Sequence, residues 1–173
     1  FRETGWRTLT AHERGAMLHR WVEAVEKRKP ALAQLEALDA GKLFRQAEGD
    51  VQTFIDTMRY FIEMSLHIAS RATLAVPHYE AYSYRAPWGV CGFIFPWNFP
   101  ILLVGWGIAP ALAAGNTVVI KPAEDTPLST LFVAHLAKQA GLPDGVVNVV
   151  PGFGEVTGAA LARHPGLRRM SFT

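Results

Sequence analysis

Three short segments of the chain contain residues that could do chemistry, and we predict that each follows a β-strand. The first has Asn98 between two prolines, the second has Lys121 close to Glu124, and the third is a glycine-rich turn at 152–158. A side-chain amide can stabilise a developing oxyanion, an acidic residue after a strand can hold ribose hydroxyls, and a glycine-rich turn can approach a phosphate. Each segment also has a simpler structural explanation.

Asn98 lies in the sequence PWNFP at 96–100, where two prolines restrict the backbone. Asn is a preferred N-cap residue, so a cap on the following helix is the simpler interpretation, and the residues alone favour it. A rigidly held side-chain NH₂ at the end of a strand can instead donate to an oxyanion. The pattern leaves both interpretations open.

The Lys121–Glu124 pair and the glycine-rich turn suggest a nucleotide site only weakly. In dinucleotide-binding sheets an acidic residue near the end of the second strand holds ribose hydroxyls, and Glu124 fits that position with Lys121 as a second donor. An exposed ion pair on a loop explains the two residues equally well. The turn GFGEVTG at 152–158 is one residue longer than the usual fingerprint, and Glu155 disfavours a phosphate there. Tight turning and close packing therefore explain these glycines better than a phosphate cradle.

The cysteine and the histidines indicate neither a nucleophile nor a metal site. The single cysteine, Cys91, lies in an apolar strand-like run, where burial raises the pKa of a thiol and makes it inert. One cysteine also excludes a disulfide scaffold and a cysteine-based zinc site. The six histidines lack metal-site spacing: His12, His19, His67, His78, His135 and His164. We therefore predict no metal.

The first part of the chain is predicted to be helical. Apolar residues recur at helical spacing over 11–29, 31–40 and about 50–70. Thr10 or Thr8 caps the first of these helices, with Glu13 completing a capping box after Thr10, and Gly41 ends the second. Most of the acidic residues fall in this part, and we interpret their charges as solvated helix faces.

From residue 88 onward strands and helices alternate. Strands are predicted at 90–95, 117–121, 146–150 and 168–173, and helices at 99–114, 126–141 and 155–164, with Thr126 as a cap and Pro127 at the first helical position. This order predicts an α/β fold with a doubly wound parallel sheet. The three chemical segments would then share the edge formed by the carboxyl ends of the strands, where such sheets bind ligands.

Composition excludes several classes of protein. Of the 173 residues, 50% are hydrophobic and 18% are charged, which is not the composition of a disordered chain. The net charge of +2 is too small to suggest nucleic acid or an anionic membrane as a partner. The stretch 86–120 lacks charges, but four prolines interrupt it, so we predict no membrane span. The chain starts without Met and ends in a strand-like SFT, so we expect an internal piece of a longer protein.

Four long motifs resemble the NAD(P)-dependent aldehyde dehydrogenase superfamily, and the broad-specificity and betaine-aldehyde type is the most similar. The motifs are APWGVCGFIFPWNFP at 86–100, PALAAGNTVVIKPAEDTP at 110–127, GLPDGVVNVV at 141–150 and SFT at 171–173. The resemblance extends from Gly5 to Thr173 and is far more specific than a lone glycine motif.

The resemblance implies roles for individual residues. Asn98 would be the oxyanion donor. In the cofactor site, the nicotinamide end would be lined by Ile94, Phe95, Pro96 and Trp97. Lys121 and Glu124 would bind the adenosine ribose, and Gly154 and Gly158 would let the adenine half approach. Thr173 would lie at the pyrophosphate edge. An aldehyde tunnel would be lined by Phe99, Leu102 and Trp106. Many members have a lysine where this chain has Gly107, so a lysine-assisted proton relay is not expected.

The implied reaction is the oxidation of an aldehyde to a carboxylic acid with NAD⁺ or NADP⁺ through a cysteine thiohemiacetal. A carboxylate at Glu124 would repel a 2′-phosphate and so favour NAD⁺. The family's nucleophilic cysteine and general-base glutamate follow the SFT motif and are not in this chain, so we expect the 173 residues alone to be inactive. The alternative is a truncated or pseudoenzyme chain that acts as a binding or structural module.

The resemblance also implies a domain organisation and a partner. Residues 1–71 would be helices of the cofactor-binding domain, 72–87 a β-structured oligomerisation arm and 88–173 the Rossmann-like portion. Within the arm, Thr73–Val76 and Tyr82–Tyr84 are strand-like runs around Pro77. The implied whole protein is a cytoplasmic homo-oligomer, a dimer or tetramer, that acts on a small-molecule aldehyde.

Overall fold

The computed structural model describes residues 1, 4–68 and 70–173. A short 3₁₀ turn at Trp6–Thr8 precedes the main elements. In chain order these are α1 (Ala11–Lys27), α2 (Lys29–Ala40), α3 (Phe44–His67), β1 (Arg71–Val76), β2 (Tyr79–Tyr84), β3 (Val90–Ile94), α4 (Pro100–Ala113), β4 (Thr117–Lys121), α5 (Leu128–Gln139), β5 (Val147–Val149), α6 (Ala159–Arg163) and β6 (Arg169–Phe172).

Strands β3 to β6 form one parallel sheet in the order β5-β4-β3-β6. The predicted α/β fold with a doubly wound parallel sheet is therefore confirmed. The chain runs outward from β3 through β4 to β5 and then returns to add β6 on the other side of β3. The strand order thus reverses between β3 and β6, which is the place where open sheets of this kind bind ligands.

The helix ends follow local chemistry in α1 and α2. The Thr10 side chain accepts from the Glu13 backbone N–H at 3.2 Å, and the Glu13 carboxylate accepts from the Thr10 N–H at 2.7 Å, which confirms the capping box. Helix α2 ends at Gly41, whose φ of 63° lies in the left-handed region that glycine tolerates.

Helix α3 differs from its prediction at both ends. It begins at Phe44 rather than near Asp50, because Ala47 is already fully buried on the same face as the later apolar residues. Gly49 lies within this helix at an exposed position, where a glycine is tolerated. The helix ends at His67 rather than Ser70, and Ala69 lies outside the described residues.

Two predicted helix starts are wrong. Thr126 does not cap α5, because the N-cap position is occupied by Pro127. The N–H of Leu128, the first residue of the helix, donates to Asp39 Oδ2 of α2 at 2.9 Å. The predicted helix at 155–164 is regular only over α6. The residues directly before α6, Gly154–Gly158, form a π-helical turn in which the Phe153 carbonyl accepts from three successive N–H groups.

The N-terminal helices and the sheet share one hydrophobic core. The Trp21 indole donates to the Val133 carbonyl in α5 at 2.9 Å, and the Trp6 indole donates to the Asn116 carbonyl at 3.0 Å. Helices α3 and α4 cross closely, since a Cβ on Gly105 would lie 2.9 Å from the Phe54 ring. Across the described ranges, no helix has the length and hydropathy needed to cross a bilayer.

Strands β1 and β2 form a separate antiparallel hairpin. They pair from Arg71 opposite Tyr84 to Val76 opposite Tyr79, and His78 takes a φ of 65° in the turn. Most of the hairpin's side chains are exposed. The strand-like runs at 73–76 and 82–84 are therefore confirmed as strands, and none of their side chains is fully buried by the described residues.

Candidate active site

The ends of β3, β4 and β6 bring the first two chemical segments to one edge of the sheet. Ile94 pairs with Lys121 on one side and with Phe172 on the other. The Phe95 N–H donates to the Lys121 carbonyl at 3.1 Å, and the Thr173 N–H donates to the Ile94 carbonyl at 3.2 Å. Backbone hydrogen bonds thus fix the positions from which the loops after these strands start.

Lys121 and Glu124 form a partly buried ion pair. Lys121 Nζ lies 2.8 Å from Glu124 Oε2 and 3.0 Å from the Pro122 carbonyl. The lysine side chain is 3% exposed, whereas that of the glutamate is 38% exposed. The hydrogen bond from Lys121 is the main cause that lowers the pKa of Glu124, and the Gly154 backbone N–H adds to it. The interpretation as a wholly exposed loop pair is wrong for Lys121, whose ammonium is desolvated and directed by the carboxylate.

The two glycines of the third segment have different surroundings. Gly158 is buried, and a Cβ there would lie 3.5 Å from Lys121 Cδ and 3.6 Å from Ile94 Cδ1. Gly154 is exposed, and a Cβ there would meet no atom within 4 Å. Gly158 therefore lets the π-helical turn pack against the strand ends, while Gly154 leaves an open surface beside Glu124.

Asn98 does not cap α4. The N-cap residue is Phe99, and the Ile101 N–H donates to Glu36 Oε1 of α2 at 3.4 Å. The Asn98 side chain is exposed and makes no hydrogen bond to the part of the chain that the structure describes. Its carbonyl is held by Lys42 Nζ at 3.0 Å. The turn is thus fixed through its backbone, and the amide stays free to act on a ligand.

The turn and the adjoining helix present several exposed aromatic side chains. Trp97 is 64% exposed and Phe99 is 45% exposed, while Phe95 is buried and Pro96 is half-buried. Along α4, Phe99, Leu102 and Trp106 recur at helical spacing and so share one face. The predicted tunnel residues therefore lie on one side of α4 and directly follow the Asn98 turn in the chain, whereas Phe95 is covered by the core.

A cleft of about 330 Å³ lies between α4 and strands β3 and β6, and none of the residues of the Asn98 turn lines it. Its lining includes Trp106, Gly107 and Cys91, together with Arg169, which the sequence did not single out because a strand position alone does not show which face a side chain occupies. Cys91 is 1% exposed, and burial raises the pKa of its thiol. Its surroundings agree with the predicted inert role.

The side chains around residue 107 leave room only for glycine. A Cβ at this position would lie 2.5 Å from Phe95 Cζ and 3.0 Å from Phe93 Cδ1. The two rings are stacked with centroids 5.7 Å apart. The stacked pair occupies the space that any side chain at residue 107 would enter.

A cluster of charges missed by the sequence lies beneath the Asn98 turn. Glu36 is fully buried and Asp50 is 7% exposed, so the interpretation of their charges as solvated helix faces is wrong. Both carboxylates contact Lys42 Nζ. Burial raises the pKa of Glu36, while the hydroxyl of Ser129 and the ammonium of Lys42 oppose that shift. Within residues 4–68 and 70–173, no group of three His, Cys, Asp or Glu side chains converges on a metal position.

Comparison with known proteins identifies the family. The profile of the Aldehyde dehydrogenase family matches residues 1–173. Retinal dehydrogenase 2 of Gallus gallus is 47% identical over 169 residues, which cover 97% of this chain and 33% of that protein. The chain therefore spans about a third of the length of the curated relatives it matches.

Solved structures give the same result. The crystal structure of PnpE from Pseudomonas sp. WBC-3 superposes with a TM-score of 0.94 at 43% identity, covering 99% of this chain and 36% of that one. The NAD⁺ complex of aldehyde dehydrogenase from Bacillus cereus superposes with a TM-score of 0.92 at 41% identity, covering 96% and 34%. This chain belongs to the aldehyde dehydrogenase family.

Proposed function

We propose that the whole protein to which this chain contributes oxidises an aldehyde to a carboxylic acid with NAD⁺. The observation that supports this most directly is the free Asn98 amide, which lies on the same sheet edge as the Lys121–Glu124 pair. Family membership supports the reaction class, and the NAD⁺ complex of the Bacillus cereus relative supports the cofactor.

The residues at the sheet edge fit the adenosine half of a dinucleotide. A ribose offers hydroxyl groups that both donate and accept, and the pair offers a carboxylate acceptor with an ammonium donor 2.8 Å away. The open surface at Gly154 leaves room beside that pair. Lys121 and Glu124 would hold the ribose, and Gly154 and Gly158 would admit the adenine half.

The nicotinamide end would lie against Ile94, Phe95, Pro96 and Trp97, with Thr173 at the pyrophosphate edge. NAD⁺ bound there supplies a hydride acceptor. The lowered pKa of Glu124 keeps its carboxylate charged at neutral pH, so it would repel the 2′-phosphate of NADP⁺.

Asn98 would act on the substrate carbonyl. A cysteine and a glutamate outside this chain would provide the thiolate that forms the thiohemiacetal and the base that activates water. When the thiolate adds to the aldehyde, the carbonyl oxygen becomes an oxyanion, and the Asn98 amide would donate to it. Phe99, Leu102 and Trp106 would line the aldehyde path with apolar surface.

The full-length protein tests this proposal through NADH formation with a panel of aldehydes. Asn98→Ala should lower kcat by about 10²–10³, because one oxyanion donor is lost, and should leave NAD⁺ affinity nearly unchanged. Gln139→Ala, which removes an exposed amide at the far end of α5, is the matched control and should keep wild-type kcat. A near-normal kcat for Asn98→Ala would contradict the assignment, and absence of oxidation by the wild-type protein would contradict the function.

The isolated 173-residue chain should not oxidise aldehydes, because it contains no exposed thiol. Turnover by this chain that disappears on Cys91→Ser would show that Cys91 is a nucleophile and that its inert assignment is wrong.

A further inference from the structure

Lys42 places one ammonium group among three oxygen atoms from three separate parts of the chain. Nζ lies 2.8 Å from Asp50 Oδ2 of α3, 3.4 Å from Glu36 Oε1 of α2, and 3.0 Å from the Asn98 carbonyl. An ammonium has three N–H donors, so these contacts can use all of them. The lysine side chain is 10% exposed, which makes these interactions stronger than those of a surface pair.

The same cluster contacts the Asn98 turn at two further points. Lys42 Nζ lies 4.7 Å from the centre of the Phe99 ring, within the range of a cation–π contact. Glu36 Oε1 accepts the Ile101 N–H in the first turn of α4. The Asn98 carbonyl, the Phe99 ring and the Ile101 N–H are therefore all in contact with the cluster formed by Lys42, Glu36 and Asp50.

The charges give the cluster a specific requirement for a cation. Glu36 and Asp50 are two carboxylates facing one ammonium, and Glu36 is fully buried. Without the ammonium, both carboxylates and the Asn98 carbonyl would present negative or partly negative oxygens to one another. The turn would then lose its link to the helices and be pushed away from them.

We propose that Lys42 is a positioning residue for the reaction: by holding the Asn98 carbonyl against α2 and α3, it fixes the direction of the Asn98 side-chain amide. This inference rests on the proposed oxyanion role of Asn98. Lys42 does not itself touch the substrate; it acts through the backbone of Asn98, whose carbonyl it holds at 3.0 Å.

A double-mutant cycle in the full-length protein tests this inference. Lys42→Met should lower kcat at least tenfold, with little change in the NAD⁺ KM, because the oxyanion donor is displaced while the ribose site is untouched. In an Asn98→Ala background the same substitution should cost less than twofold, because the group that Lys42 positions is already gone. Equal losses in both backgrounds would overturn the inference.

Lys29→Met is the matched control. Lys29 Nζ also links α2 to α3, through Gln52 Oε1 at 2.8 Å, but it contacts no residue of the Asn98 turn. It should keep kcat within twofold of wild type. A loss equal to that of Lys42→Met would reduce both lysines to general supports of the helices and overturn the inference.

Asp50→Asn keeps the experiment decisive if Lys42→Met does not fold. This variant retains the lysine but weakens its shortest contact, and it should show a smaller kcat loss that again disappears in the Asn98→Ala background. A loss that persists there would count against the inference. The failures are distinguishable: an inactive wild-type protein contradicts the proposed function, whereas an active one with additive losses contradicts only the role of Lys42.

Discussion

Lys121 Nζ lies 2.8 Å from Glu124 Oε2, with the lysine almost fully buried and the carboxylate partly open to solvent. The ammonium therefore holds the carboxylate from the buried side, and the solvent-exposed side of the carboxylate remains accessible to a ligand. Under the proposed function, the carboxylate of this pair would bind ribose hydroxyl groups and would repel a second anion.

Glu124→Gln should raise the use of NADP⁺ relative to NAD⁺ in the full-length protein. The substitution keeps the shape of the side chain and removes the charge that would repel a 2′-phosphate. The ratio of kcat/KM for the two cofactors measures the effect. Asp125→Asn, at the exposed neighbouring residue, is the control and should leave that ratio unchanged. An unchanged ratio for Glu124→Gln would mean that this carboxylate does not face the ribose.

The Lys121–Glu124 pair should make the stability of the fold fall at acid pH. The pKa of Glu124 is lower in the folded chain than its ordinary value. The pair's contribution to stability is therefore present above the unfolded-state pKa and is lost as the pH falls through the lowered folded-state pKa. The acid limb of a stability–pH curve should be shallower in Glu124→Gln than in the wild type.

Gly107→Ala should destabilise the fold by about 1–3 kcal/mol, as overpacking does. Its Cβ would approach the Phe95 ring to 2.5 Å, and that ring is buried and stacked on Phe93. Gly49→Ala is the matched control, because it is also a glycine within a helix but has open space around it. It should stabilise by about 0.5–1 kcal/mol through helix propensity. Urea unfolding gives the free energy of unfolding of both variants, and equal changes in that free energy would contradict the steric role of the Phe93–Phe95 pair.

Cys91 should resist alkylation in the folded chain at neutral pH. Burial raises the pKa of its thiol, so the reactive thiolate is scarce and the sulfur is covered. Iodoacetamide labelling followed by mass spectrometry should show slow modification of the native chain and one rapid label in urea. Since the unfolded thiol ionises at a lower pH than the folded one, stability should fall as the pH rises above the ordinary thiol pKa. Rapid labelling of the native chain would contradict the buried assignment.

The β1–β2 hairpin should make the isolated chain self-associate. Tyr79, Tyr82 and Tyr84 are 78%, 52% and 75% exposed on a two-stranded sheet, which rarely stands alone in water. Light scattering over a tenfold concentration range should show species above 19.0 kDa. Replacing Tyr79 and Tyr84 by serine should reduce association, whereas Tyr60→Ser, at an exposed tyrosine of α3, should not. A constant monomer mass would contradict the prediction.

The order of elements could be predicted because the signals that mark it are local. Apolar strands, a glycine after a helix and a proline at its first turn each report on residues nearby in the chain. Gly41 shows this directly, since it ends α2 in the left-handed conformation that its residue type favours. The parallel sheet then followed from the alternation of strands and helices.

Whether Asn98 caps α4 could not be decided from the sequence because the answer depends on a residue far away in the chain. An asparagine before a helix usually caps it, but here Glu36 accepts the Ile101 N–H instead. Asp39 likewise supplies α5 with the cap that Thr126 was expected to provide. Both carboxylates come from α2, whose charges looked like an ordinary solvated face. When a cap comes from another helix, the residues around the capped helix contain no pattern that predicts it.

The shared core of the N-terminal helices and the sheet makes the hairpin an insertion into one folded body. Trp6 and Trp21 each donate across the boundary to backbone carbonyls of the later half. A protease that cuts at His78, where the exposed turn has a left-handed backbone, should therefore nick the chain without separating its halves. The nicked chain should elute as one particle in native buffer and as two fragments in denaturant. The two halves, expressed as separate polypeptides, should reassemble into the same structure.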